Sequence, residues 1–268
     1  MKIIKSISTF CVGLIFAGAS AFAITADEVL EKYEALPIPL TSSAEITVEL
    51  YNGAGKLEES RNVLQYGNHK NDLINTVFDF KGPASSKYVK TRVWQSEKSN
   101  KSDDKFVFEP SIGTVRRVNT TGRGKSFLGM DLTYNDMTIR SRTDDENTMI
   151  NDNESVTVAG KSYKTYKIKS VPVKNKNVEY AYRIQYINRD TYLPVMIEYY
   201  TKQDKLIKTL SVESVTTING KYLLRDVQTM TNAKTGHKTT VRVKVPSVKF
   251  DSQLDDKYFS QNWLQTGK

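Results

Sequence analysis

Two histidines, His69 and His237, carry the only imidazoles in the chain, and Cys11 carries the only thiol. Both histidines sit beside turn residues, in Gly67-Asn68-His69 and Gly236-His237. Neither has the His-Glu-x-x-His spacing that sets two ring nitrogens on one metal. A single cysteine can build neither a zinc ligand set nor a disulfide framework. No Gly-x-Ser-x-Gly elbow marks a serine hydrolase. Gly122-Arg123-Gly124-Lys125-Ser126 ends like a phosphate-cradling loop, but Asn119 stands where that loop needs a glycine five places before Gly124. It reads as a flexible basic loop. Asn100-Lys101-Ser102, Asn119-Thr120-Thr121 and Asn153-Glu154-Ser155 match the glycosylation acceptor pattern, a match that chance supplies in a chain rich in Asn and Ser. The residues therefore assign no catalytic group, no metal and no cofactor. Neighbouring carboxylates at Asp103-Asp104, Asp144-Asp145 and Asp255-Asp256 keep one enzymatic alternative open, an exported hydrolase that attacks envelope polymers with paired acids.

The distinctive stretch is Ser126-Phe127-Leu128-Gly129-Met130-Asp131-Leu132-Thr133-Tyr134-Asn135-Asp136-Met137. Gly129 allows a tight turn and Asp131 can cap a short helix. Phe127, Leu128 and Met130 present three apolar side chains together. They either plug the core or form an apolar lid over a lipid cavity, and the lid is the functional reading.

The elements that must position this block are mostly strands. Residues 25–36 form the one clear helix signal: Thr25 caps, Asp27 and Glu28 suit the first turn, and Val29, Tyr33 and Leu36 share a face before Pro37 and Pro39. Period-two alternation then begins with Ile46, Val48 and Leu50 and turns at Gly53-Ala54-Gly55. Strand signals continue at residues 61–66, 73–80, 87–94, 105–109 and 114–118, and again at 163–169, 179–187, 194–201, 205–214, 222–231 and 238–245. Asn219-Gly220 is a type I′ hairpin signal. The polar stretch 140–154 reads as a long loop inside one sheet system. Hairpins without intervening helices imply an antiparallel meander, and a sheet of about ten such strands tends to curl. The concave face of a curled, open sheet is too wide for its own side chains to fill, which leaves a ligand cavity. Alternation nominates Ile46, Val48, Leu50, Phe78, Phe80, Val89, Val93, Phe106, Phe108, Val241 and Val243 as its wall. A third possibility is a structural module in which side chains fill that face completely.

The chain has 268 residues, with 39 Lys and Arg against 30 Asp and Glu and a net charge of +9. Its 38% hydrophobic content supports one sizeable core. Residues 1–23 read as a signal peptide: Lys2 and Lys5 form the basic start, a short apolar run follows, and Ala21-Phe22-Ala23 is a cleavage site. The rival reading is an uncleaved anchor. Residues 24–268 are expected as a single domain without cysteine. Lysines are dispersed along the chain, with no arginine-rich arm, so nucleic acid is excluded as a partner.

The 126–137 block resembles the outer-membrane lipoprotein-sorting proteins, related in fold to the LolA/LolB lipoprotein carriers. Phe106-Val107-Phe108-Glu109-Pro110, Val115-Arg116-Arg117-Val118, Tyr192-Leu193-Pro194-Val195, Lys205-Leu206-Ile207-Lys208 and Lys257-Tyr258-Phe259-Ser260 are similar to the same family. Phe106 stands where the family often has Trp. The resemblance implies a mainly β fold with a few helices, a curled antiparallel sheet of about eleven strands that forms a half-open barrel with a helical or loop lid. It implies a periplasmic monomer that carries lipid or acylated lipoprotein cargo, contacts membrane surfaces transiently and cooperates with an RND-type inner-membrane transporter. The basic residue that governs acyl release in the carriers proper matches no position here. N-terminal sequencing of the exported protein is expected to begin at Ile24; membrane-bound protein that retains Met1 would overturn the cleavage assignment.

Overall fold

The computed structural model describes residues 23–70, 72–98, 104–173 and 178–268. The expected signal segment with Cys11, the Asn100-Lys101-Ser102 pattern and Asp103 lie outside the described residues. Thr25 caps α1 (Ala26–Glu34), its hydroxyl accepting from the Glu28 amide while the Glu28 carboxylate accepts from Thr25 N at 2.7 Å. This reciprocal box satisfies two backbone donors that a helix start otherwise leaves unpaired. Among the described residues, no helix is long and apolar enough to cross a membrane.

Fourteen strands follow: β1 (Thr41–Tyr51), β2 (Leu57–Lys70), β3 (Leu73–Gly82), β4 (Arg92–Lys98), β5 (Asp104–Phe108), β6 (Val115–Arg117), β7 (Asp145–Val158), β8 (Lys161–Pro172), β9 (Tyr182–Asn188), β10 (Pro194–Tyr200), β11 (Leu206–Ile218), β12 (Tyr222–Asn232), β13 (Lys238–Val243) and β14 (Lys249–Phe250). They form one antiparallel sheet in the order β6-β5-β4-β3-β2-β1-β13-β12-β11-β10-β9-β8-β7, with β14 paired to β1. The sheet is two meanders zipped together by the β1–β13 pair, in which Val48 faces Val241 and Ile46 faces Val243. It stays open, with β6 and β7 as its two edges. Chain order therefore forces a consequence: the connection from β6 to β7 must run from one edge of the sheet to the other. It does so across the concave face, as a strap that contains residues 126–139.

The count of 14 strands among the described residues exceeds the eleven expected. Residues 145–154 of β7 fall where a loop was expected, because Asp-Glu-Asn-Thr-Met-Ile-Asn-Asp-Asn-Glu has little strand propensity. Pairing with β8 makes it a strand, and irregular register around Met149, Asn151 and Glu154 breaks the flatness of that edge. Residues 87–91 are turns, not strand, and β4 starts only at Arg92. No helix follows Asp131; residues 126–139 are tight turns, with Leu128 and Gly129 both at positive φ (51° and 78°) and a lone bridge from Ser126 to Thr133. The Asn219-Gly220 turn has the expected positive φ at both residues, 52° and 68°. A second helix, α2 (Gln261–Thr266), closes the chain and tucks Trp263 against Tyr66 and Tyr258.

The main core lies between the concave face and the strap. Val48, Val63, Phe80, Val93 and Val107 of the sheet meet Phe127, Leu128, Met130 and Tyr134 of the strap. Phe127 is the hub, with its ring 6.1 Å from Phe78, 6.5 Å from Phe80 and 5.1 Å from Tyr134. Removing a side chain so enclosed leaves a cavity that neighbours fill only in part. Phe127→Ala is therefore expected to cost about 3–5 kcal/mol in chemical denaturation; a loss below 1 kcal/mol would mean that the strap is not core.

Candidate functional site

Beside this core, the concave face keeps an apolar cavity of about 330 Å³. Its wall is Ala44 and Ile46 of β1, Phe78 of β3, Leu224 of β12, Val243 of β13, and Val248 and Phe250 from the segment that contains β14. Ser42, Gln65, Thr76 and Gln95 add a few polar groups along one side. Pro39 lies at the rim, between Ile38 and Leu40, which are 52% and 64% exposed. Such a lining, largely apolar with few polar groups, is how proteins hold an apolar ligand in a fixed orientation.

Of the residues nominated from alternation, Ile46, Phe78 and Val243 line this cavity. Val48, Leu50, Phe80, Val93 and Val241 share the same face but pack in the core beneath the strap. Phe106 and Phe108 lie on the opposite, convex face. Val93 pairs with Val107 and both are fully buried in the core, so Trp94 and its partner Phe106 must point the other way. Trp94 and Phe106 indeed pack ring on ring at 5.5 Å, and Phe108 lies against the Arg92 guanidinium. The alternation was misread by one position because the inward register of β5 is Lys105 and Val107, and Lys105 is charged. Val89 is in the turn before β4, outside the sheet. Phe127, Leu128 and Met130, nominated as a lid, are 3%, 5% and 6% exposed and pack as the strap's contribution to the core.

What holds the strap is polar, and none of these groups is assigned that role from the sequence, which singles out Asp131 as a cap and Asp145 as one of a pair of acids. Arg61 donates to Leu128 O at 2.7 Å. Thr239 accepts from Asp131 N and donates to the Asp131 carboxylate, both at 2.9 Å. The Lys208 ammonium donates to Asp136 Oδ2 at 2.6 Å and to Glu179 Oε1 at 2.8 Å. Gln95 donates to Met137 O, and Ile139 N donates to Glu97, whose other oxygen accepts from the fully buried Lys105. Arg140 and Arg183 close on the buried Asp145 at the start of β7. The strap is thus tied in turn to β2, β13, β11, β4 and β7. A lysine at an inward position of an alternating strand, as in Phe-Val-Phe preceded by Lys105 or Leu-Ile-Lys-Thr-Leu around Lys208, is the signal that points to such ties.

Electrostatics follow from these contacts. Burial pushes the Glu179 carboxyl up, but Lys208, Asn135 and Thr133 outweigh it and hold the group below its ordinary 4.5. Burial raises Asp131 in spite of the Thr239 hydrogen bond. The converging pair Asp136 and Glu179 shares one ammonium, and a lowered Glu179 is the opposite of what a general acid needs. Among the described residues no group of three or more His, Cys, Asp or Glu is placed to hold a metal.

Lys208→Met would strand the buried Asp136 carboxylate and the half-buried Glu179 beside it, and breaking such a cluster costs about 3–5 kcal/mol. Adding Asp136→Asn and Glu179→Gln to that variant is expected to recover most of the loss in denaturant titrations. A depressed carboxyl contributes stability that is fully present above its ordinary pKa and is lost as pH falls through the folded value. Wild-type stability should accordingly fall below about pH 4.5, and the triple variant should lose that part of the acid dependence. An unchanged acid limb in the triple variant would remove Glu179 as its source.

Three solved structures share this architecture. A DUF1329 family protein from Desulfovibrio piger superposes with a TM-score of 0.79 at 22% identity, covering 90% of this chain and 98% of that one. A proposed outer membrane lipoprotein-sorting protein domain from Vibrio parahaemolyticus gives 0.77 at 19% identity, with the same coverage. A LolA superfamily protein from Nitrosomonas europaea gives 0.62 at 18% identity, covering 90% and 100%. No curated protein matches the sequence. A family model described as "Uncharacterized protein" matches residues 73–266. The chain belongs to that family, and the open sheet it builds is the LolA-like fold of lipoprotein-sorting proteins.

Proposed function

We propose that the protein is a periplasmic carrier that shelters an acyl chain of a lipid or acylated lipoprotein and moves it towards the outer membrane. The observation that carries this reading is the apolar cavity lined by Ile46, Phe78 and Val243 on a concave face with an exposed apolar rim. A methylene takes about the ~30 Å³ of a water in the liquid, so the cavity's 330 Å³ accepts on the order of ten. Burying each contributes about 0.8 kcal/mol, so ten reach the free energy of micromolar binding before ordering costs are subtracted. No covalent step or cofactor is required.

The export signal in residues 1–23 delivers the domain that follows it to the periplasm as a monomer. Phe127, Leu128 and Met130 act as the lid, because the strap that covers the concave face is the segment a longer chain must displace. Ile38 and Leu40 provide a small apolar contact with a membrane surface or with an RND-type transporter that hands over cargo. Lipidomics and native mass spectrometry on protein purified from its own envelope should find bound acyl species. Val243→Asp places a charge on the cavity wall and should abolish loading, with melting temperature measured alongside. A folded variant that stays loaded, or wild-type protein free of any amphiphile, would defeat the carrier reading.

A further inference from the structure

A second cavity has the opposite chemistry. It measures about 380 Å³ and wraps around the free edge of the sheet at β6, where the strap begins. Arg116, Arg117 and Lys125 line it, together with Tyr88 and a single carboxylate, Glu109. Asp104, the partner of Arg117, lies beside it, so three cations stand against two anions and one positive charge is in surplus. The stretch that supplies them, residues 115–125, contains Arg116, Arg117, Arg123 and Lys125 and no acidic residue.

We propose that this cleft binds a phosphate monoester dianion. The Arg116 guanidinium fork, the Lys125 ammonium and the Tyr88 hydroxyl suit the oxygens of a tetrahedral oxyanion. The Arg116 fork is held ready on Glu109, 3.1 Å from Nε, whereas Arg117, next to it on β6, pairs with Asp104 at 2.8 Å from Nε on the other face of the sheet. Both pairs are open to solvent, so they contribute little to stability and exchange easily for a stronger anion. Lys125 is exposed, and its ammonium has no hydrogen-bond or ion-pair partner among the described residues. Gly129 keeps the cleft open: a Cβ there would come within 2.9 Å of the Tyr88 hydroxyl, which lines the wall as a further donor. The motif that resembled a nucleotide loop, Gly122 to Ser126, supplies part of this wall, with Asn119 beside it. The ligand is a free phosphate or the headgroup of a phosphorylated amphiphile; the recognising chemistry is the same. The site does not depend on the acyl cavity, since its residues and those of the cavity do not overlap.

Two probes separate the sources. Inorganic phosphate is titrated calorimetrically at low ionic strength with acetate as the control, and flotation is measured with phosphatidylcholine vesicles with and without phosphatidic acid. Wild-type protein should bind phosphate over acetate, prefer the phosphatidic acid vesicles, or do both. Phosphate binding alone assigns the free anion, and vesicle preference assigns the headgroup. Each lost charge-assisted hydrogen bond removes about tenfold in affinity, so the double substitution Arg116→Gln and Lys125→Gln should weaken binding at least that much with an unchanged melting temperature. Lys56→Gln with Lys202→Gln removes the same net charge elsewhere and should leave binding intact. Equal loss in both double variants, or no binding to either probe, overturns the site.

Discussion

The contact of the Lys208 ammonium with Asp136 and Glu179 fixes where the strap lies, and most of the molecule follows from that position. A charge under a sheet is removed from water and must be paired, or it destabilises the fold by several kcal/mol. The concave face carries several such charges: Arg61, Glu97, Lys105, Lys208 and Arg183. Their partners come in large part from one connection, the run between the two edge strands, through Leu128 O, Asp136, Ile139 N and Arg140. The apolar core under Phe127 is thereby kept closed by groups that cannot separate without exposing or stranding a charge. Such ties are demanding about geometry where an all-apolar cover would be permissive, and they set the strap in one place over the sheet.

That arrangement also relates the two cavities. Phe127 touches Phe78, which lines the apolar cavity, and Tyr134, which lines the basic cleft. One ring of the strap therefore stands between an apolar chamber and a charged one. Ser126 reinforces the arrangement by donating to Met130 O at 2.6 Å, which keeps the turn that carries Phe127 compact.

The sequence was legible where local chemistry and burial agree. The Thr25 cap, the hairpin at Asn219-Gly220 and most of the alternating strands emerge from residue types alone, because each depends on neighbours a few positions away. The wall residues Ile46, Phe78 and Val243 emerge because alternation on β1, β3 and β13 is regular. On β5 the same logic points to the wrong face: Phe106 and Phe108 outrank Lys105 in hydrophobicity, yet Lys105 turns inward to meet Glu97 and Gln95. A buried ammonium is dictated by its partners on another strand, and a single strand's pattern does not contain them. The same holds for β7, whose polar residues become a strand only because β8 offers a ladder. The strap illustrates the limit most clearly. Its apolar triplet is visible in the sequence, but its path follows from the sheet order, which is a property of the whole chain.

Neighbouring strands in the sheet are also adjacent along the chain, except at one seam, where β1 meets β13 and the short β14. The seam brings together residues roughly two hundred positions apart, whereas the other ladders are hairpins. The two meanders can thus form early and separately, each with little loop-closure entropy to overcome, and the molecule is complete only when the seam joins them. Until then the strap has only half of its anchors: Arg61 and Glu97 belong to the first meander, Lys208 and Thr239 to the second. Docking of the halves is thereby the event that creates both the concave chamber and its cover. A chain halted before that step would present two unpaired strand edges, β1 and β13, that are complementary to each other and to those of any second chain in the same state. Exchange of halves between molecules is the error to which this topology is inherently open.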